Sequence, residues 1–171
     1  MLRKLHVFVL GMALSGPAFA AEPIIRTIPD ARIVGQGKLS MAFWDIYKAV
    51  LYAPDGRLTH RQPFALSIHY MREIDGSDIA ERSVIEIRNQ GFRDEAKLAT
   101  WNAQMKNIFP NVEDGTVLSA IFLPGKETIF YNADKQIGVI KDAEFTLWFA
   151  NIWLSEKTSE PNLRQKLLGL S

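Results

Sequence analysis

Apolar residues along this chain recur at every second position, then every third or fourth, then every second again, and finally at the helical spacing once more. Ile33–Trp44 and Ile46–Ala53 are rich in apolar residues and read as two strands, and Pro54-Asp55-Gly56 supplies a turn. Pro63–Met71 alternates: Phe64, Leu66, Ile68 and Tyr70 fall on one face, Ala65, Ser67, His69 and Met71 on the other. The period then lengthens. Ser77 or Asp78 can cap a helix to about Gln90, stopped by Gly91. Asp94 caps a second helix, in which Leu98, Trp101, Met105 and Ile108 form an apolar stripe that Pro110 ends. Thr116–Leu123, Thr128–Tyr131 and Gln136–Ile140 return to strand, with Pro124-Gly125 turning between the first two. Asp142 caps a third helix from Ala143 to about Leu154, apolar nearly all round and expected to be largely buried. A last helix opens at Ser159-Glu160-Pro161 and ends at Gly169. Strands, two helices, strands and two helices predict an α+β fold: one large antiparallel sheet covered on one face by helices.

The N-terminus carries a different signature. Arg3 and Lys4 precede a mostly apolar run, Leu5–Leu14, followed by Ser15-Gly16-Pro17 and then Ala18-Phe19-Ala20. This is the layout of a secretory signal cut after Ala20. The apolar run is about half the roughly 20 residues that a membrane span needs. The expectation is a signal peptide over residues 1–20, a single domain over 21–171, and a periplasmic or secreted location. Ala21–Pro29 reads as an extended lead-in. The 151 residues left of the 171 suit one domain, which at about that length buries roughly 68–70% of its unfolded surface. There is no cysteine, so the core is unstapled, and thiolate zinc, thiol catalysis and iron–sulfur ligation are excluded. Of the 20 Lys and Arg, Arg3 and Lys4 leave with the signal, so 18 remain against 19 Asp and Glu. A near-neutral domain lacks the basic stripe that nucleic-acid binding requires, so no nucleic-acid partner is expected.

Three segments resemble the chalcone isomerase-like family, in its exported bacterial members. The first is Val34-Gly35-Gln36-Gly37-Lys38-Leu39 followed by Phe43-Trp44-Asp45-Ile46-Tyr47-Lys48-Ala49-Val50-Leu51-Tyr52. It is similar to the family's glycine pair and the Tyr-x-Ala-x-Leu-Tyr strand after it. The second is Trp101 to Gly115, with its Phe109-Pro110 and Asp114-Gly115. The third is Ile152-Trp153-Leu154-Ser155, then Leu163-Arg164 and Leu167-Leu168-Gly169. The order and spacing of the three span nearly all of the chain after the signal. The resemblance implies an open-faced β-sandwich with a cleft for a flat or long apolar molecule.

The plant enzymes of that family ring-close a chalcone to a flavanone. They use an arginine on the early sheet, a threonine and a tyrosine around a water, and a tyrosine-lysine-asparagine set. That set is not matched here: Tyr70 is followed by Glu73 and Ser77, Tyr47 by Val50 and Pro54, Tyr131 by Asp134 and Gly138. Registered on the Gly91 turn, the set falls near Asp75, Asp78 and Arg82, and the threonine position is Trp44. An ungapped match places the catalytic arginine at Arg32, but aligning the glycine pair moves it off. No residue is assigned as catalytic. The candidate ligand-binding residues are Arg32, Trp44, Tyr47, Arg72 and Arg82: aromatic walls for an apolar molecule, and guanidinium groups able to meet a carboxylate head in a bidentate contact. Tyr52 is placed near the same cleft. The bland alternative for each is core packing or a solvated charge. His60 and His69, the histidines left after the signal, have no carboxylate partner at ligand spacing, so no metal is expected. No serine-nucleophile elbow or phosphate loop occurs, and no cofactor is expected.

The reading from sequence is therefore an exported domain that binds a small apolar or amphipathic molecule, such as a fatty acid, without chalcone isomerase activity. The alternatives are an isomerase or lyase with a rearranged polar set, which needs an arginine and a tyrosine converging in a cleft, and a protein-interaction module using Trp148 and Trp153 as an exposed patch.

Overall fold

The computed structural model describes residues 18–170. The signal run and its Ala-x-Ala motif lie outside the described residues, apart from the backbone of Ala18–Ala20. Helix α1 (Ala18–Thr27) leads into strands β1 (Ala31–Met41), β2 (Trp44–Pro54) and β3 (Phe64–Tyr70). Helices α2 (Gly76–Asn89) and α3 (Glu95–Ile108) follow. Strands β4 (Val117–Leu123), β5 (Glu127–Asn132) and β6 (Lys135–Ile140) then precede α4 (Ala143–Leu154) and α5 (Pro161–Leu167). The six strands form one antiparallel meander in chain order. This is the α+β architecture that the periodicity predicts. Among the described residues no helix is long and apolar enough to cross a membrane.

The local chemistry explains the ends of the elements. The Asp94 carboxylate accepts from the Lys97 N–H, and Asp142 accepts from the N–H groups of Glu144 and Phe145, filling donors that a helix start leaves free. Asp142 also accepts from Trp101 Nε1 at 3.0 Å, so one carboxylate ties α3 to the start of α4. At α2 the structure departs from expectation: the cap position is Asp75, and its side chain makes no capping bond.

The alternation of β3 sets the core. Phe64, Leu66, Ile68 and Tyr70 face α2–α4 together with Ala49, Leu51, Leu118, Ala120 and Phe130. Phe109, Phe130, Phe145 and Phe149 fill the layer between with edge-on and stacked contacts. On the same face of the sheet, α5 lies directly on β1. A side chain at Gly35 would meet the Lys166 carbonyl and come within 2.6 Å of the Leu167 carbonyl, so glycine is what admits the helix here.

Two expectations are corrected. Residues 21–29 are mostly helical rather than extended, because Ile24 and Ile28 are completely buried against Ala65 and Ile121. Those two residues belong to the sheet face turned away from α2–α5, so helices cover part of both faces. Helix α4 is also less buried than its composition suggests: Leu147 is exposed, and Trp148 and Trp153 are half-buried.

Candidate ligand-binding site

Between the sheet and the helical layer the packing leaves a cavity of about 380 Å³. That is within the range of roughly 300–1,000 Å³ usual for small-molecule sites. Strands β2–β5 supply its floor, including Tyr47, Leu66, Ile68, Tyr70, Ala120 and Phe130. Its roof comes from Ile79, Ser83 and Glu86 of α2 and from Phe149, Ile152 and Trp153 of α4. The space opens where small side chains face one another: Ala120 is at the middle of β4, and Ser83 bends back to donate to the Ile79 carbonyl. The exposed lining residues Met41, Asp78, Arg82 and Ser159 mark the mouth.

Polar groups are few and placed at one side. The Trp153 indole N–H donates to the Tyr47 hydroxyl at 3.0 Å, which leaves the Tyr47 proton free to donate. The Tyr47 and Tyr70 rings meet edge to face, 6.1 Å apart. Burial pushes the Tyr47 phenol up to about 12, against a smaller opposing effect of the Trp153 hydrogen bond. Burial, with the Tyr47 phenol beside it, also raises Tyr70. Both are neutral at physiological pH and can donate a hydrogen bond into apolar surroundings. Arg82 pairs with Glu86 one turn further along α2, with Nη2 to Oε1 at 2.6 Å. The guanidinium is largely in water while the carboxylate is nearly buried (62% and 8% exposed). The polar part of the lining thus comprises two neutral donors, one guanidinium at the water boundary, and a carboxylate that holds it.

The cavity brings together two of the five candidates, Tyr47 and Arg82. Arg32 is excluded by distance: it is exposed near the start of β1, seven residues from the cavity-lining Leu39, or about 23 Å along an extended strand. Trp44 and Arg72 line no part of the cavity. They pair with each other outside it, the Arg72 guanidinium 4.5 Å from the Trp44 ring. Tyr52 faces the other side of the sheet and packs against the Ile24 and Ile28 group, because the strand alternation that turns Tyr47 and Ala49 inwards turns position 52 outwards. Trp148 and Trp153 do not form an exposed patch: Trp148 packs on Phe92, and Trp153 on Phe149 and Tyr47. Sequence reasoning did not single out Tyr70, Glu86 or Trp153 for the cavity. Glu86 had a readable signal, since a carboxylate one position before Ile87 sits on a stripe otherwise made of Ile79, Ser83 and Val84.

Sheet, helical layer and an apolar cavity open at one mouth define an open-faced β-sandwich with room for a small molecule. The sequence profile described as chalcone isomerase-like matches residues 32–169, and the chain belongs to that family. By sequence no curated protein matches it. Among solved structures it is similar to a fatty-acid binding protein of Arabidopsis thaliana, with a TM-score of 0.62 at 13% identity over 82% of this chain and 87% of the other. At that identity the likeness is one of fold.

Proposed function

We propose that this chain is exported, loses residues 1–20, and works outside the cytoplasm, in the periplasm, as a 21–171 domain that holds one amphiphilic molecule with a single apolar chain, such as a fatty acid. The observation that carries the reading is the cavity of about 380 Å³, walled by aliphatic and aromatic side chains with its donors gathered at one side. An acyl chain gains about 0.8 kcal/mol for each methylene it withdraws from water, and the Tyr47 and Tyr70 hydroxyls and Arg82 offer partners to its polar end. The fold of the Arabidopsis fatty-acid binding protein supports the same use of the space.

The test has two parts. Native mass spectrometry of the protein purified from its own compartment should show an adduct of lipid mass. The delipidated protein should bind dodecanoate or dodecanol in calorimetric titration. Repeated recovery of an empty protein that takes up neither would refute the reading.

A second reading is kept by one observation. Arg82 and Tyr47 do converge on the same cavity, as an isomerase or lyase that polarises a carbonyl requires. It predicts turnover of an enone substrate that Tyr47→Phe abolishes. The pairing of Arg82 with Glu86 weighs against this reading, because the neighbouring carboxylate offsets the positive charge that would polarise a carbonyl.

A further inference from the structure

The hairpin joining β1 to β2 breaks two rules of folding at one point. Its turn is Ala42-Phe43, and Ala42 holds a left-handed φ of 53°, a conformation that glycine or asparagine adopts with much less strain. The residue beside it, Phe43, is 99% exposed, and Trp44 and Met41 are 61% and 57% exposed. Neither the turn nor the core gains from apolar residues there. Strain and exposure that coincide against folding preference point to use.

The surroundings say what kind of surface would cover this tip. Met41 and Ile46 of the same hairpin line the cavity, so the tip overhangs the mouth. Met71, hydrogen-bonded through its N–H to the Ile46 carbonyl, adds another exposed apolar side chain. Asp45 is already ion-paired with Lys38 at 2.7 Å and accepts a hydrogen bond from the Ser40 hydroxyl at 2.6 Å. Arg72 lies over Trp44 and enters no ion pair among the described residues. The exposed acids Glu73 and Asp75 follow it before α2 begins at Gly76. The tip therefore combines a bare phenyl ring, an indole with one face under a guanidinium that has no ion pair among the described residues, and thioethers, on a two-residue turn. A protein interface of standard size buries about 800 Å² per partner, more than such a point offers. An interfacial lipid layer accepts the shape: aromatic rings settle at headgroup depth, and guanidinium meets phosphate.

We propose that the β1–β2 tip docks the protein on a phospholipid bilayer, with Phe43 and Trp44 in the interface and Arg72 on a lipid phosphate, which places the cavity mouth against the membrane. An apolar ligand then passes between bilayer and cavity without crossing bulk water. The docking stands on the tip alone, whereas the ligand transfer rests on the binding function proposed above.

The chain has no cysteine, so one introduced thiol carries a single label. An environment-sensitive dye at Phe43→Cys should shift to the blue on addition of phosphatidylcholine–phosphatidylglycerol vesicles. The same dye at Lys126→Cys, beyond the far end of β4, should not. Adding Trp44→Ser to the labelled tip should raise the lipid concentration for half-shift about tenfold, the loss of one partly buried aromatic. Dodecanoate binding without vesicles should stay unchanged, so failure of docking and failure of the ligand reading appear in different assays. A tip dye that remains aqueous, or one that shifts no more than the Lys126 dye, overturns the proposal. So does a vesicle-independent shift accompanied by dimers in sedimentation, which would assign the tip to a second copy of the chain.

Discussion

Glu86→Gln is the substitution that best separates head-group chemistries. Glu86 is nearly buried beside the cavity and holds Arg82 by a 2.6 Å contact. A fatty-acid carboxylate seeking Arg82 must share the guanidinium with this like charge. At about 6 Å and an effective dielectric near 20, two such charges repel by roughly 3 kcal/mol. Arg82 is more than half in water, which screens most of that, and about 1 kcal/mol remains. The glutamine keeps the shape and removes the charge. Dodecanoate affinity should therefore rise about fivefold, with dodecanol, which carries no charge, changing less than twofold. Paired calorimetric titrations on delipidated protein give both numbers. Equal responses of the two ligands would refute the electrostatic argument, and weaker dodecanoate binding would show that the Arg82–Glu86 pair itself positions the head group.

Three other outcomes follow from the same structure. Ala120→Phe, at the cavity floor, should lower ligand affinity more than tenfold in the same titration while leaving the melting temperature unchanged or higher, since the ring fills space that is already empty. Gly35→Ala drives a methyl group into the Lys166 and Leu167 carbonyls and should cost about 3 kcal/mol in urea unfolding; a loss under 0.5 kcal/mol would mean that α5 is not seated on β1. The Tyr47 phenol, raised by burial to about 12, stays protonated in the folded chain while the unfolded chain ionises near 10. The stability it contributes is then complete below pH 10 and erodes between pH 10 and 12, so the fall in urea midpoint over that window should be shallower in Tyr47→Phe.

The sheet and the α2–α5 layer were legible because each element carries its own period, and strand and helix periods cannot be exchanged without exposing a whole face. The Asp94 and Asp142 caps were legible for the same reason, as a local bond to a local donor. The N-terminal helix was missed because Ile24 and Ile28 are ordered by Ala65 and Ile121, which lie far along the chain. Their spacing of four was present in the sequence, but Pro23 and the short length hid it. The site divides along the same line. Tyr47 was found through its place on a strand that resembles the family pattern, and Arg82 through registration on the Gly91 turn. Arg32 fails because nothing local measures the 23 Å or so between the ends of a strand.

Trp44 and Arg72 show most clearly what local reading lacks. Each was chosen for a sound reason, an aromatic and a guanidinium near a cleft, and each lies within a short step of the cavity along its strand: Trp44 two residues before Ile46, Arg72 two after Tyr70. The structure puts them together, but outside. Position 44 leaves the cavity because the two-residue turn at Ala42-Phe43 ends the hairpin there, and position 72 because β3 ends at Tyr70. Chain termini of strands thus decide whether the same two residues touch a ligand or the medium around it. An aromatic–arginine pair just beyond a cavity's mouth faces what lies outside it, and under the binding function proposed above that outside is the source of the apolar ligand.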